Sequence, residues 1–244
     1  MRRLGLVLAL AATAACADGP PAAPLVAAWF EAPTDIYPHN VLGDLRPAFV
    51  LAARDASGGV HRMDLRDMPG GPAVFEDIAP RVADADGDGA PDIVVVEADT
   101  QLGAQLAVYA LRRGALVKSA ATPHIGTRFR WLAPVAIADL NSDGITDLAY
   151  VETPHIGKRL RVWTYAPGGL TEIAALDGLT NHRIGDEAIF GGLRDCGTGP
   201  EMVLADAGWT RLMAVRLEGS TLTARGLGPL TDTADFDAAL ACAR

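Results

Sequence analysis

The sequence predicts an all-β protein, a β-propeller-like array of about four four-stranded blades. Two acidic loops with the same D-x-[DN]-x-D-G-x-x-D pattern begin at Asp84 and Asp139, 55 residues apart. About four short β-prone runs, separated by Gly, Pro, Asp and Asn, fill each such period. No long stretch keeps a 3.6-residue apolar period, so we expect little helix. Four strands per repeat favour a propeller; an open array of stacked β-hairpins is the alternative.

The first 17 residues are typical of an export signal. Arg2 and Arg3 precede an apolar stretch, residues 4–15, that is too short to span a bilayer as a mature helix. Thr13-Ala-Ala-Cys16 resembles a bacterial lipobox and predicts lipidation of Cys16, with ordinary signal peptidase cleavage after Ala17 as the alternative. Residues 18–24 are rich in Ala, Gly and Pro and predict a short tether, which leaves 25–244 as the β domain.

Charge and cysteine content limit the partners and the compartment. The net charge of −9 argues against nucleic acid as a partner, and membrane contact is expected only through a lipid anchor. Besides Cys16, the chain has Cys196 and Cys242. In an oxidising compartment such a pair favours a disulfide, with two buried free thiols as the alternative. We therefore expect a periplasmic protein or an outer-membrane-anchored lipoprotein.

The β-prone runs repeat with the loops. In the first acidic repeat they are 81–85, 93–97, 105–111 and 115–121; in the second, 134–140, 148–152, 159–166 and 170–175; in a third, degenerate repeat, 188–193, 201–206, 211–217 and 221–227. A fourth copy without metal ligands is expected at residues 40–51. The apolar runs 25–30 and 236–241 are expected to complete a terminal blade or to close the ring.

The two acidic loops have the chemistry of a hard-cation site. Carboxylates at alternate positions of a tight loop converge on one point, and Ca²⁺ prefers six to eight oxygen ligands at about 2.3–2.6 Å. The glycine after the third acidic position, Gly89 or Gly144, allows the chain to reverse with a positive φ. Each loop runs directly into an apolar, β-prone stretch. Two loops with this register predict calcium-binding repeats.

These loops and the strands that follow them resemble FG-GAP/VCBS repeats, which occur in integrin α propellers and in many exported bacterial proteins. The resemblance implies a propeller-like fold and two Ca²⁺ sites, but no particular activity. It implies the following first-site ligands: Asp84, Asp86, Asp88, Asp92 and the carbonyl of Ala90. For the second site it implies Asp139, Asn141, Asp143, Asp147 and the carbonyl of Ile145. The degenerate repeats lack these residues, so no metal is expected there.

A doubled motif outside the repeat pattern supplies candidate ligand-binding residues. Thr-Pro-His-Ile-Gly begins at Thr122 and again at Thr153, and each copy leads into arginines and a tryptophan. Arginine binds carboxylates or phosphates and tryptophan stacks on sugars, so an anionic ligand or a carbohydrate would suit the cluster. The candidates are His124, Arg128, Arg130, Trp131, His155, Arg159 and Arg161. In the alternative interpretation Pro and Gly shape turns while the arginines pair with surface acids.

The sequence favours a binding or structural role in the cell envelope over catalysis. It has no G-x-S-x-G, H-E-x-x-H, C-x-x-C or phosphate-binding Gly-Lys-Ser/Thr motif, and no catalytic residue is assigned. The four tryptophans are interpreted as packing residues rather than as a cofactor site. The expected partner is an envelope protein or a glycan. A hydrolase or lyase that acts on an extracellular polymer, and a scaffold that ties envelope components together, are the alternatives.

Overall fold

The computed structural model describes residues 23–68, 71–166 and 168–243. Within these residues the chain forms 17 β-strands and one short α-helix, so the all-β prediction is confirmed. The predicted export signal, including Cys16, lies outside the described residues. Among the helical residues that the structure describes, none belongs to a helix long and apolar enough to cross a membrane.

The N-terminal unit differs from a separate four-stranded blade. Its strands are β1 (Leu25–Pro33), β2 (Ala48–Asp55), β3 (Val60–Asp64) and β4 (Ala73–Phe75). β1 and β3 flank β2, and the short β4 pairs with the beginning of β2 through Ala48 and Phe75. The run 25–30 therefore forms a strand of a terminal unit, as expected.

The first acidic repeat forms a four-stranded antiparallel meander. Its strands are β5 (Arg81–Ala83), β6 (Asp92–Asp99), β7 (Gly103–Arg112) and β8 (Ala115–Ala121). β4 also pairs with the end of β6, so the N-terminal unit and this repeat share one eight-stranded sheet. The two acidic repeats were predicted as separate blades. The first shares its sheet with the N-terminal unit, whereas the second forms a separate sheet.

The second acidic repeat is a sheet of its own. Its strands lie side by side in chain order: β9 (Leu132–Ala138), β10 (Asp147–Glu152), β11 (Arg159–Ala166) and β12 (Gly169–Asp177). β10 carries an uninterrupted apolar run from Leu148 to Val151 because it is buried on both faces. The outer strand β12 mixes buried and exposed positions, as expected of an edge.

The third repeat has the same order with one addition. Its strands are β13 (Leu179–Thr180), β14 (Gly192–Asp195), β15 (Pro200–Asp206), β16 (Arg211–Glu218) and β17 (Thr221–Pro229). β14 to β17 form the meander, and the two-residue β13 pairs with the other end of β15. The degenerate repeat therefore keeps the strands of its neighbours although it has lost most of the acidic loop.

The C-terminal run 236–241 is a helix, and the expectation that it would add to a blade or close the ring is wrong. The helix α1 (Ala234–Leu240) has Asp235 and Asp237 in its first turn, where acidic side chains favour a helix N-terminus. Phe236 and Ala239 lie three positions apart on one face and pack against β15. Cys196 and Cys242 form the predicted disulfide, which fixes the chain after α1 to the loop after β14.

The hydrophobic core lies between consecutive units of the array. On β6, Ile93 packs in a cluster with residues of β2, whereas its neighbour Val94 packs in a different cluster with Leu148 of β10. On β10, Ala149 packs in turn with Leu204 of β15. Successive residues of a strand point to opposite faces, so each central strand serves two cores. Each fully buried valine or leucine contributes about 1.5–3 kcal/mol relative to an exposed one.

Candidate functional site

The first acidic loop, between β5 and β6, is organised by its own carboxylates. Asp84 accepts hydrogen bonds from the backbone N–H groups of Gly87 (2.9 Å) and Gly89 (3.0 Å). Asp86 accepts one from the N–H of Asp88 at 3.1 Å. One oxygen from each of the three carboxylates lies within 4.8 Å of the other two. The loop therefore brings its alternate acidic residues to one point, as the spacing predicts.

The second acidic loop, between β9 and β10, repeats this pattern. Asp139 accepts hydrogen bonds from the N–H groups of Asp143 (3.0 Å) and Gly144 (2.8 Å). The amide oxygen of Asn141 accepts from the same N–H of Asp143 at 3.1 Å. Asp143 accepts from the N–H of Ile145 at 2.9 Å. In the first loop, the corresponding bond from Ala90 to Asp88 is 2.8 Å.

Both loops reverse the chain through left-handed residues at corresponding positions. Gly89 and Gly144, after the third acidic position, have φ values of +87° and +86°. Gly87 in the first loop corresponds to Ser142 in the second, with φ values of +74° and +63°. The positive φ expected after the third acidic residue is confirmed, and Ser142 adopts without glycine a conformation that disfavours most side chains.

The last acidic residue of each loop is the first residue of a strand and is buried. Asp92 is 1% exposed and accepts hydrogen bonds from the N–H groups of Ala85 and Asp86. Asp147 is fully buried and accepts one from the N–H of Leu140. Burial raises the pKa of Asp92 to about 6 and raises that of Asp147. The second oxygen of Asp147, Oδ1, is buried and forms no well-aligned hydrogen bond within the described residues, although the nearby Thr164 hydroxyl offsets part of the rise in its pKa.

The residues of the two loops fit a hard cation. All side-chain atoms that could ligate a metal here are carboxylate or amide oxygens, the ligand type that Ca²⁺ and Mg²⁺ prefer. In the first loop Arg112 donates to Asp86 (3.0 Å) and Asp88 (3.1 Å) and offsets part of the negative charge. In the second loop an amide, Asn141, replaces one carboxylate. A buried carboxylate oxygen without a well-aligned donor is costly, and a cation would satisfy it.

Each loop also contacts a neighbouring unit. The amide of Asn141 donates to the carbonyl of Gly219, in the β16–β17 turn, at 3.2 Å. The hydroxyl of Thr146, in the second loop, donates to the carbonyl of Asp84, in the first loop, at 3.2 Å. The acidic loops therefore lie where consecutive units meet.

The candidate ligand-binding residues separate into two groups. Arg130, Trp131 and His155 line one pocket of about 320 Å³, and the guanidinium of Arg128 lies over the ring of Phe129 in its wall.

The other three candidates have partners within the protein and do not line that pocket. His124 hydrogen-bonds the carbonyl of Gly103 at 2.9 Å, and Arg159 pairs with Asp177 at 2.8 Å. Arg161 pairs with glutamates of the β9–β12 sheet. For Arg159 and Arg161 the alternative interpretation, arginines paired with acids, is the one that the contacts match.

Sequence reasoning missed two histidines and one acid near this pocket. His39 lines the pocket, and its Nδ1 lies 2.9 Å from Oε1 of Glu76, a hydrogen-bond distance. Glu76 itself is buried. His182 hydrogen-bonds His155 at 2.8 Å. The segment His182-Arg-Ile-Gly185 resembles the doubled motif and was a usable signal, whereas no sequence pattern marks His39.

The comparison with known families agrees with the two loops. The profile of the FG-GAP-like repeat family matches residues 84–150, from the first acidic residue of the first loop to β10. Residues 84–150 therefore form an FG-GAP-like repeat segment, and the sheets around it have a β-propeller-like arrangement. No curated protein and no solved structure shows a significant match to it.

Proposed function

We propose that this chain is an exported, calcium-binding β-propeller-like protein with a binding or structural role in the cell envelope. The observation that carries the metal proposal is the pair of loops with matching hydrogen bonds, one of which ends in the buried oxygen of Asp147 that lacks a well-aligned donor within the described residues. The proposed ligands are those that the family resemblance implies in each loop. Bound Ca²⁺ would supply positive charge to the converging oxygens; catalysis by the metal is not part of the proposal.

The role proposed for the metal is to stabilise the junctions between units. Asp92 and Asp147 begin the central strands β6 and β10, and burial disfavours their ionised forms. A divalent cation compensates for that cost and fixes the loop to the strand. Because the loops also touch neighbouring units through Asn141 and Thr146, stiffening them stabilises the array as a whole.

Thermal melting of the full chain tests this proposal. We expect a higher melting temperature in millimolar Ca²⁺ than in EDTA, with a smaller gain in Mg²⁺, which demands stricter octahedral geometry. A ligand at 100 times its Kd adds about 2.7 kcal/mol. For a protein of this size that corresponds to a rise of about 5–11 °C. No rise in either cation would refute the metal proposal.

Paired variants locate the effect. Asp88→Asn and Asp143→Asn each keep a side-chain oxygen for the loop hydrogen bond but remove a charge, so they should lose much of the gain in Ca²⁺ and little stability in EDTA. Asp177→Ala removes an exposed carboxylate outside the loops and serves as the control. Equal losses with and without calcium would mean that the loop carboxylates act only as turn residues.

Export is proposed from the N-terminal segment together with the disulfide, since disulfides persist mainly in oxidising compartments. Expression with the native N-terminus, followed by mass spectrometry of the N-terminal peptide, tests it. A lipidated Cys16 supports an envelope lipoprotein, and a terminus at Asp18 supports ordinary cleavage. An unprocessed chain in the cytosolic fraction would refute export.

A further inference from the structure

The pocket lined by Trp131 and His155 lies at the end of the sheets opposite to the acidic loops. Its walls come from the connections β1–β2, β8–β9, β10–β11 and β13–β14. In an antiparallel meander, successive connections lie at alternate ends of the sheet. The acidic loop precedes β10 and the wall segment 153–156 follows it, so the metal-binding candidates and this pocket are separate sites.

One wall is a fixed cluster of rings. The indole N–H of the buried Trp131 donates to the carbonyl of Glu76 at 2.7 Å. The imidazole of His155 lies nearly parallel to the indole, with ring centroids 6.2 Å apart. The imidazole of His182 is inclined to the indole by 66°, with centroids 4.8 Å apart. Because Trp131 is only 2% exposed, a ligand would meet this wall mainly through His155, whose fixed ring costs little conformational entropy on binding.

The hydrogen bonds of the two histidines define their tautomers. Nε2 of His182 lies 2.9 Å from the carbonyl of Asp186, which can only accept, so Nε2 carries the proton. Nδ1 of His182 then accepts from Nε2 of His155 at 2.8 Å. Nδ1 of His155 is left as an acceptor without a protein donor among the described residues. Burial, followed by repulsion from His182, lowers the pKa of His155 to about 4, so the pair is neutral at pH 7.

The facing wall is aromatic and its backbone is strained. The ring of Phe129 stacks on His39 with centroids 5.2 Å apart and contacts Tyr37 at 4.9 Å. Phe129 has a φ of +58°, a left-handed conformation that is costly for a bulky side chain. The left-handed backbone directs the Phe129 ring towards the pocket, and residues with strained backbone conformations cluster at ligand-binding sites.

The guanidinium of Arg130 has no acidic partner among the described residues. Among the residues that the structure describes, the Arg130 guanidinium hydrogen-bonds only the carbonyl of its neighbour Phe129, at 3.1 Å. Within the described residues it forms no ion pair, although many other arginines do, as Arg161 does with Glu152. A guanidinium has five N–H donors, so Arg130 retains donors for a bidentate acceptor. At the rim, Ile156 and Ile184 are each 68% exposed.

We propose that this pocket binds a small cyclic carboxylate that carries a hydroxyl group. Its ring lies between the wall formed by His155 over Trp131 and the facing wall of Phe129, its carboxylate accepts from Arg130, and a hydroxyl donates to Nδ1 of His155. A pocket of about 320 Å³ is at the lower end of the range for ligand sites, which suits a single ring. Acidic monosaccharides and hydroxylated aromatic acids share this chemistry. The proposal deepens the binding role proposed above and does not depend on calcium.

Calorimetric titration of the full chain with four probes tests the proposal and distinguishes an acidic monosaccharide from a hydroxylated aromatic acid as the ligand. D-galacturonate and 4-hydroxybenzoate carry the carboxylate, and D-galactose and 4-hydroxybenzamide are their uncharged counterparts. We expect saturable binding of at least one acid, with its uncharged counterpart about 10-fold weaker or more. The acid that binds identifies the source. No binding of either acid at millimolar concentration, or equal binding of an acid and its counterpart, would overturn the proposal.

Two matched arginine variants complete the test. Arg130→Gln should weaken the acid by about 10-fold or more and leave the melting temperature unchanged. Arg113→Gln removes the same charge from the β7–β8 turn, at the opposite end of the sheets, and should change nothing. Unchanged affinity in Arg130→Gln would overturn the assignment. If calcium does not raise the melting temperature but the acid still binds, only the metal proposal is refuted. If calcium raises the melting temperature but no acid binds, only the pocket proposal is refuted.

Discussion

The disulfide between Cys196 and Cys242 should supply a large part of the stability of this protein. Removing it in the double variant Cys196→Ser/Cys242→Ser releases a loop with a sequence separation of 46 residues. The chain-entropy relation for such a loop gives about 4 kcal/mol at 25 °C. For a protein of this length the melting temperature should fall by about 8–16 °C. Urea denaturation of both proteins, followed by tryptophan fluorescence, measures the change in free energy of unfolding.

This estimate assumes that the cross-linked segment unfolds together with the rest of the protein. The structure supports that assumption, because Phe236 and Ala239 of α1 are buried in a cluster with Val203 of β15. Wild-type protein in a reducing agent is the control and should behave like the double variant. A loss below about 1 kcal/mol would show that α1 detaches before the sheets unfold, and would refute the reasoning.

Two further predictions concern buried charge. The folded pKa of His155 is lowered below that of the unfolded chain, so the stability tied to its neutral form is present near pH 7 and is lost as the pH falls towards 4. Between pH 7.5 and 5 the free energy of unfolding should fall by at most about 2 kcal/mol, and by about 1 kcal/mol once the partial exposure of His155 is allowed for. A His155→Gln variant should lose less stability over the same pH range, as measured by urea denaturation. Glu201→Ala should cost about 3–5 kcal/mol, because it removes the buried carboxylate that Arg194, Arg216 and Arg225 share. Asp177→Ala, at an exposed ion pair, should cost little by the same assay.

Each of these has a result that would contradict it. If wild type and His155→Gln lose equal stability between pH 7.5 and 5, His155 is not the group that titrates. If Glu201→Ala is no less stable than Asp177→Ala, water reaches Arg194 and the ion pair is not buried in solution.

The strands of the acidic repeats were predictable because the local signals agree. The runs at 93–97 and 148–152 contain β-branched or aromatic residues and directly follow an aspartate that ends a glycine turn, and the observed strands contain both runs. The disulfide followed from counting cysteines. In each case residues close in sequence, or few in number, carried the information.

The parts that were missed depend on tertiary contacts. The run 236–241 is short and apolar, and periodicity cannot distinguish a short strand from a single helical face in such a segment. The three-residue β4, which joins the first two units, has no local pattern of its own. The pocket combines His39 and Trp131, and His182 supports Trp131 from behind the lining; only the fold brings these distant residues together.

The way in which β6 and β10 divide their side chains between two cores limits how this chain can be altered. Each sheet is fitted on one side to the unit before it and on the other to the unit after it, so its two faces are not equivalent. Units that look alike in sequence are therefore not exchangeable. Swapping two of them, or duplicating one in the middle, would create two mismatched contact surfaces, whereas a new unit at either end of the array would have to match only one neighbour.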